Sequence, residues 1–158
     1  MVAAMMAALL MLTGVAFAKE FVGTPRGERI SGTDRGDLVS ARGGDDTVIG
    51  RGGDDELYGQ PGSDSISGSD GGDELYGGSG NDSVRGGGGQ DDVYGGSGSD
   101  KINGGNGVDE LSGGNNNDTI NALGGGNDQI SCGLGTDDRV IADTRDGIAG
   151  DCERVTRR

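Results

Sequence analysis

The stretch GGSGNDSVRGGGGQDDVYGGSGSDKINGG, Gly77–Gly105, sets an aspartate two places before an aliphatic residue and repeats this every nine residues. Asp82 precedes Val84, Asp91 precedes Val93 and Asp100 precedes Ile102. Followed outward, the same step links Val39, Val48, Leu57, Ile66, Leu75, Val84, Val93, Ile102, Leu111 and Ile120. Ile30 opens the series with Glu28 in the aspartate slot, and past Ile120 the step lengthens to ten, reaching Ile130 and Val140. The slot is filled by Asp37, Asp46, Asp55, Asp64, Asp73, Asp82, Asp91, Asp100, Asp109, Asp118, Asp128 and Asp138.

A unit with one aliphatic side chain cannot build a core alone, so units of this kind must stack and share one. The residues around each aliphatic predict a minimal strand with one side chain in and its neighbours out, and the glycine-rich remainder predicts a turn at positive φ. Nine residues are too few to close a coil with one turn, whereas eighteen supply two strands and two turns. Alternate units bear this out. Tyr58, Tyr76 and Tyr94 stand eighteen apart, beside Glu56, Glu74, Asp92 and Glu110; the intervening units carry β-branched Val48, Ile66, Val84, Ile102 and Ile120, preceded by Thr47, Ser65, Ser83, Lys101 and Thr119. The tyrosines are therefore expected as a column outside one sheet. Such a column is either a surface for a glycan or protein partner or cross-strand packing that stiffens the sheet, and the second reading is preferred.

The 158-residue chain carries 27 acidic against 13 basic residues, a formal charge of −14, with 37 glycines and 3% aromatics. This composition argues against a conventional core. Its charge opposes nucleic acid and anionic membrane surfaces as partners and favours cations. Residues 1–18 form an uncharged apolar stretch ending in Ala16-Phe17-Ala18, which reads as a signal peptide cleaved before Lys19 and hence as export; an uncleaved anchor is the competing reading. Cys132 and Cys152 are the two cysteines. In an oxidising compartment they can pair, which is worth about 3 kcal/mol; two free thiols are the alternative.

The turns approximate G-G-x-G-x-D, most clearly GGSGND at Gly77–Asp82, GGSGSD at Gly95–Asp100 and GGNGVD at Gly104–Asp109. This pattern resembles the RTX, or hemolysin-type, calcium-binding nonapeptide repeats, from about Gly32 to Asp128. The resemblance implies a right-handed parallel β-roll, an all-β solenoid with two repeats per coil, that binds Ca²⁺ in its turns. Calcium takes six to eight hard oxygen ligands, and turns stacked eighteen residues apart can offer carbonyls and carboxylates from two coils. The expected metal ligands are Asp46, Asp55, Asp64, Asp73, Asp82, Asp91, Asp100, Asp109 and Asp118, with turn residues Gly77, Gly78, Gly80, Gly95, Gly96, Gly98, Gly104, Gly105 and Gly107. Paired along one edge (Asp46, Asp64, Asp82, Asp100, Asp118) and the other (Asp55, Asp73, Asp91, Asp109), they make about seven sites. GTDRGD at Gly32, GQPGSD at Gly59, GSDGGD at Gly68 and GGNNND at Gly113 depart from the pattern; Asn116 suits a left-handed backbone.

The expected organisation is a signal peptide (1–18), a lead-in (19–29), calcium-binding repeats (30–131) and a disulfide-pinned C-terminal cap (132–158), with five arginines in the last segment. The chain reads as a secreted, monomeric, stand-alone repeat module that folds when it meets calcium after export, and not as an enzyme, since it has no histidine and no residue set apart from the array. RTX toxins and proteases carry a separate effector domain and an uncleaved C-terminal export signal, and neither is visible in this sequence. The alternative function is an adhesive or ice-binding structural solenoid at the cell surface. The positions of Thr47 and Thr119 hold serine and lysine in other coils, which weakens a match to ice.

Overall fold

The computed structural model describes residues 19–158, so the stretch read as a signal peptide lies outside the described residues. Short strands alternate between two sheets, and there is no helix among the described residues. One sheet runs in the order β1 (Glu20–Val22), β3 (Leu38–Ser40), β5 (Glu56–Pro61), β7 (Glu74–Ser79), β9 (Asp92–Ser97), β11 (Glu110–Asn115), β13 (Gln129–Leu134) and β15 (Gly147–Ile148). The other holds β2 (Arg29–Ser31), β4 (Thr47–Gly52), β6 (Ser65–Asp70), β8 (Ser83–Gly88), β10 (Lys101–Asn106), β12 (Thr119–Ala122), β14 (Arg139–Ala142) and β16 (Arg154–Arg157). Each strand pairs in parallel with the strand two further along the chain, as when Leu57 lies beside Leu75 and Ile66 beside Val84. The chain is thus a parallel β-solenoid of about eight coils, as the eighteen-residue double period requires.

The aliphatic series meets between the two sheets. From Val39 to Val140 each member is essentially buried, and Phe21, Ile30 and Ile148 pack against the column nearer its ends. Burying one such side chain contributes about 1.5–3 kcal/mol, and two per coil is a thin core for so much ordered backbone. The position two residues after each aliphatic also faces inward. It takes only small residues: Gly77, Gly95 and Gly104 in the regular coils, Ala41, Ala122, Ala142 and Cys132 among the others.

The disulfide-pinned cap is present and is built on the same coils. The Cys132–Cys152 bond closes a sequence separation of 20 residues. Within this segment Ile148 takes register beside Ile130 and Val155 beside Val140. Asp146 and Glu153 stand two residues before them, so the aspartate slot recurs with shortened spacing. At the other end Phe21 occupies the aliphatic position beside Val39, so the lead-in forms the first coil.

The outward columns of the two sheets differ. Beside the aliphatics of the first sheet stand Glu20, Glu56, Glu74, Asp92 and Glu110 together with the tyrosines. The second sheet displays Arg29, Arg85, Lys101, Arg139 and Arg154 among serines, threonines and asparagines. The tyrosine column is real: the Tyr58 and Tyr76 rings stack at 4.8 Å and the Tyr76 and Tyr94 rings at 5.0 Å, nearly parallel in both pairs.

Candidate metal centre

Every slot aspartate folds its side chain inward, so that Asp46, Asp55, Asp64, Asp73, Asp82, Asp91, Asp100, Asp109 and Asp118 are all at most 3% exposed. Each carboxylate sits at a turn, under the coil that precedes it. The N–H of Asp46 donates to Oδ1 of Asp64 at 2.8 Å, Asp64 to Asp82 at 2.8 Å, Asp82 to Asp100 at 2.8 Å and Asp100 to Asp118 at 2.8 Å. Along the opposite edge Asp55 donates to Asp73 at 2.9 Å, Asp73 to Asp91 at 2.9 Å and Asp91 to Asp109 at 3.1 Å. The carboxylate pairs anticipated from the spacing are therefore neighbours, joined backbone to side chain.

The second oxygen is different. In all nine of these residues Oδ2 is buried and accepts no hydrogen bond. A buried ionised carboxylate oxygen with no donor is costly, and folded proteins rarely tolerate one without a proton or a cation beside it. Here the same vacancy of donors recurs at one position per turn. Burial, and then the neighbouring carboxylates, push Asp55 and Asp91 up to about 7. Burial likewise raises Asp64 and Asp82 to about 6, each with a like-charged neighbour above or below it in the column. Asp73 rises to about 6 by burial and Asp118 to about 7, while burial raises Asp100 and Asp109 as well. The hydrogen bond from the preceding coil opposes this rise in every case and does not cancel it.

The glycines divide into two kinds. At Gly95 an added Cβ would lie 2.5 Å from the Gly113 carbonyl oxygen and 2.6 Å from Oδ2 of Asp100. At Gly104 it would lie 2.5 Å from Oδ2 of Asp109, and at Gly77 it would lie 2.6 Å from Oδ2 of Asp82. The first glycine of each turn thus leaves a cradle in which the orphaned carboxylate oxygen sits; at Gly77 and Gly95 a carbonyl of the next coil shares it. Gly78, Gly80, Gly96, Gly98, Gly105 and Gly107 instead have positive φ, between 110° and 154°. In the irregular turns Gln60, Ser69 and Asn116 adopt positive φ where glycine stands elsewhere, Asn116 at 78°. The Asn116 turn therefore keeps the regular backbone.

This donor set, carboxylate and carbonyl oxygen with no imidazole, fits a hard cation such as calcium. A cluster of Cys132, Asp151 and Cys152 lies elsewhere, but its sulfurs are bonded to one another and supply no thiolate.

The structure adds residues to the sequence-derived set. Asp128 and Asp138 also bury an unpartnered Oδ2, and Asp37 buries an unpartnered Oδ1 because Thr33 holds its other oxygen. All three occupy the aspartate slot of the sequence series, Asp128 and Asp138 after ten-residue steps, but lay outside the regular turns. A second, exposed ladder was missed. Asp45 accepts the Ser63 N–H at 2.8 Å, Asp54 the Gly72 N–H at 2.9 Å and Asn81 the Ser99 N–H at 2.8 Å. Its signal is the Asp or Asn immediately before the slot aspartate.

A family profile described as RTX calcium-binding nonapeptide repeat (4 copies) matches residues 31–66, 58–93, 67–102, 85–120, 94–130 and 103–138. These overlapping matches cover the chain from residue 31 to residue 138. No curated protein matches the chain.

Proposed function

The chain belongs to the family of RTX calcium-binding nonapeptide repeats, and on that premise we propose that calcium binding between its coils drives its folding after export. It is a calcium-binding repeat protein on a β-solenoid. The finer reading assigns the ions to the two edges. Asp46, Asp64, Asp82, Asp100 and Asp118 hold them on one side and Asp55, Asp73, Asp91 and Asp109 on the other, with the turn glycines giving room and carbonyl oxygens. About seven ions follow from the seven neighbouring pairs. The observation that carries this reading is the row of buried Oδ2 atoms that accept no hydrogen bond.

Magnitudes support the coupling to folding. Ordering each residue costs about 1–2 kcal/mol, more for glycine, and the thin aliphatic column offsets little of it. A site whose dissociation constant lies one hundredfold below ambient calcium adds about 2.7 kcal/mol, and about seven such sites add roughly 19 kcal/mol. The ion supplies positive charge and a shared ligand sphere where stacked carboxylates otherwise repel. A cytosol low in calcium then leaves the chain unfolded, and a calcium-rich exterior folds it. The disulfide accords with an oxidising, extracellular destination. We assign the chain no reaction; it contains no histidine.

The test is far-UV circular dichroism of Lys19–Arg158 after chelation, titrated separately with calcium and magnesium. The proposal expects a coil-to-strand transition with calcium and little response to magnesium. A strand spectrum that survives chelation unchanged would remove the folding switch. The ice-matching form of the alternative has no specific support, because one outward column runs Arg29, Thr47, Ser65, Ser83, Lys101, Thr119, Arg139 and is interrupted by charge.

A further inference from the structure

The aromatic stack stops abruptly at Tyr94. In register beyond it come Ser112 and Ser131, so one face of the Tyr94 ring looks along the sheet with no ring against it. The space left is a cleft of about 470 Å³, with Glu110 and Gln129 along one side. Within the stack, successive rings lie 4.8–5.0 Å apart, so the position over Ser112 is the next place in the ladder and has the thickness of one ring.

Next to Tyr94 the polar groups are disengaged, whereas farther along the cleft the Ser131 hydroxyl donates to Asp151 at 3.1 Å. The hydroxyls of Tyr58 and Tyr76 each donate to the glutamate two residues before them, Glu56 and Glu74. Tyr94 follows Asp92, one methylene shorter, and among the described residues its hydroxyl makes no such bond. At the opposite end of the ladder a smaller cleft of about 340 Å³ lies beside Tyr58, and there the serine in register is engaged, because Gln60 Nε2 donates to Ser40 Oγ at 3.0 Å. Ser112 has no corresponding partner among the described residues.

We propose that this cleft binds a neutral saccharide ring, which takes the next place in the stack against Tyr94. A pyranose presents a flat face of C–H groups to an aromatic ring and hydroxyls around its edge. Around that edge the cleft offers a carboxylate acceptor from Glu110, the hydroxyls of Ser112 and Tyr94, and the amide of Gln129, which both donates and accepts. A mixed set of donors and acceptors matches a polyol better than a cation, which needs acceptors alone. The acidic column and the net charge of −14 disfavour anionic ligands. This inference requires the folded solenoid and does not depend on which residues hold calcium.

The test uses Lys19–Arg158 in calcium-saturated buffer, with methyl β-glucoside and methyl N-acetyl-β-glucosaminide as probes in saturation-transfer NMR and a neutral glycan array as the wider survey. Saturable binding is expected, with perturbation of the Tyr94 ring resonances. Ser112→Tyr extends the aromatic column into the cleft and should weaken binding at least tenfold while leaving the calcium-induced strand spectrum intact. If that variant fails to fold, Tyr94→Ser, which repeats the residue present at Ser40 in the same column, removes the platform and should cause the same loss. No saturable binding across the array, binding unaffected by a folded variant, or displacement of the sugar by tetramethylammonium at equal concentration would each overturn the proposal. A protein that folds without calcium but still binds the sugars would leave this inference standing and remove only the folding switch.

Discussion

The backbone N–H of Asp64 donates to Oδ1 of Asp82 at 2.8 Å, and Oδ2 of the same Asp82 carboxylate accepts nothing. One oxygen joins coil to coil, and the other, buried without a donor, is the one assigned to calcium in the proposal above. An amide retains the first role without the charge. Asp82→Asn should therefore lower calcium stoichiometry or weaken the adjacent sites at least tenfold, while making the metal-free chain no less stable. Calorimetric titration checks the first half, and strand content by circular dichroism in chelator toward acid pH, where the metal-free fold is favoured, checks the second; Asp82→Ala should lose both.

The response to pH should reverse sign with calcium. Without metal, the slot carboxyls have folded-state values of about 6–7 at Asp55, Asp64, Asp73, Asp82, Asp91 and Asp118, above the ordinary 3.8. The folded chain thus holds more protons than the unfolded one across that window, so its stability is greatest below about pH 4 and falls as pH rises through 6–7. Calcium competes with those protons, so its affinity should rise over the same interval. Circular dichroism in chelator and calcium titrations between pH 5 and about 8 test both directions. Metal-free strand content that grows with rising pH would contradict the first.

Gly95→Ala should destabilise the calcium-loaded protein by about 1–3 kcal/mol, the usual cost of overpacking. Its methyl group meets a backbone carbonyl and the Asp100 carboxylate, neither of which is the free end of a flexible side chain. Ser69→Gly should act oppositely, raising stability by up to about 1 kcal/mol, because Ser69 is held at a φ of 93°. Thermal melts in saturating calcium read both.

Replacing Cys132 and Cys152 by serine should cost about 3 kcal/mol, the closure entropy of a loop of this length. The loss should be local at first. Each coil touches only its neighbours, so hydrogen exchange ought to quicken in β13–β16 before it changes around Tyr58.

The double period was legible because each of its marks has a single physical cause. Leu57 and Leu75 must face inward for the coils to share a core, and Tyr58 and Tyr76 then fall on the same outer face. The positions of the twelve slot aspartates were legible for the same reason. Asp146 and Glu153 were less so, since the end coils vary in length and the slot is recognised only once Ile148 and Val155 are seen in register. What no periodicity can disclose is the division of work within one carboxylate, or that the serine beside Tyr94 is free while the serine beside Tyr58 is held by Gln60. Those depend on single methylenes and on one glutamine.

The unlike outer faces give the solenoid a polarity across its width. The face bearing Glu56, Glu74 and Glu110 opposes the face bearing Arg85, Lys101 and Arg139, so charge is separated at right angles to the long axis. Were the seven sites proposed above all filled, their divalent ions would bring about fourteen positive charges against the formal −14, and this transverse moment would be the main surviving field. Turning the rod half-way about its length therefore exchanges an acidic face that carries the tyrosine ladder for a basic face that carries none.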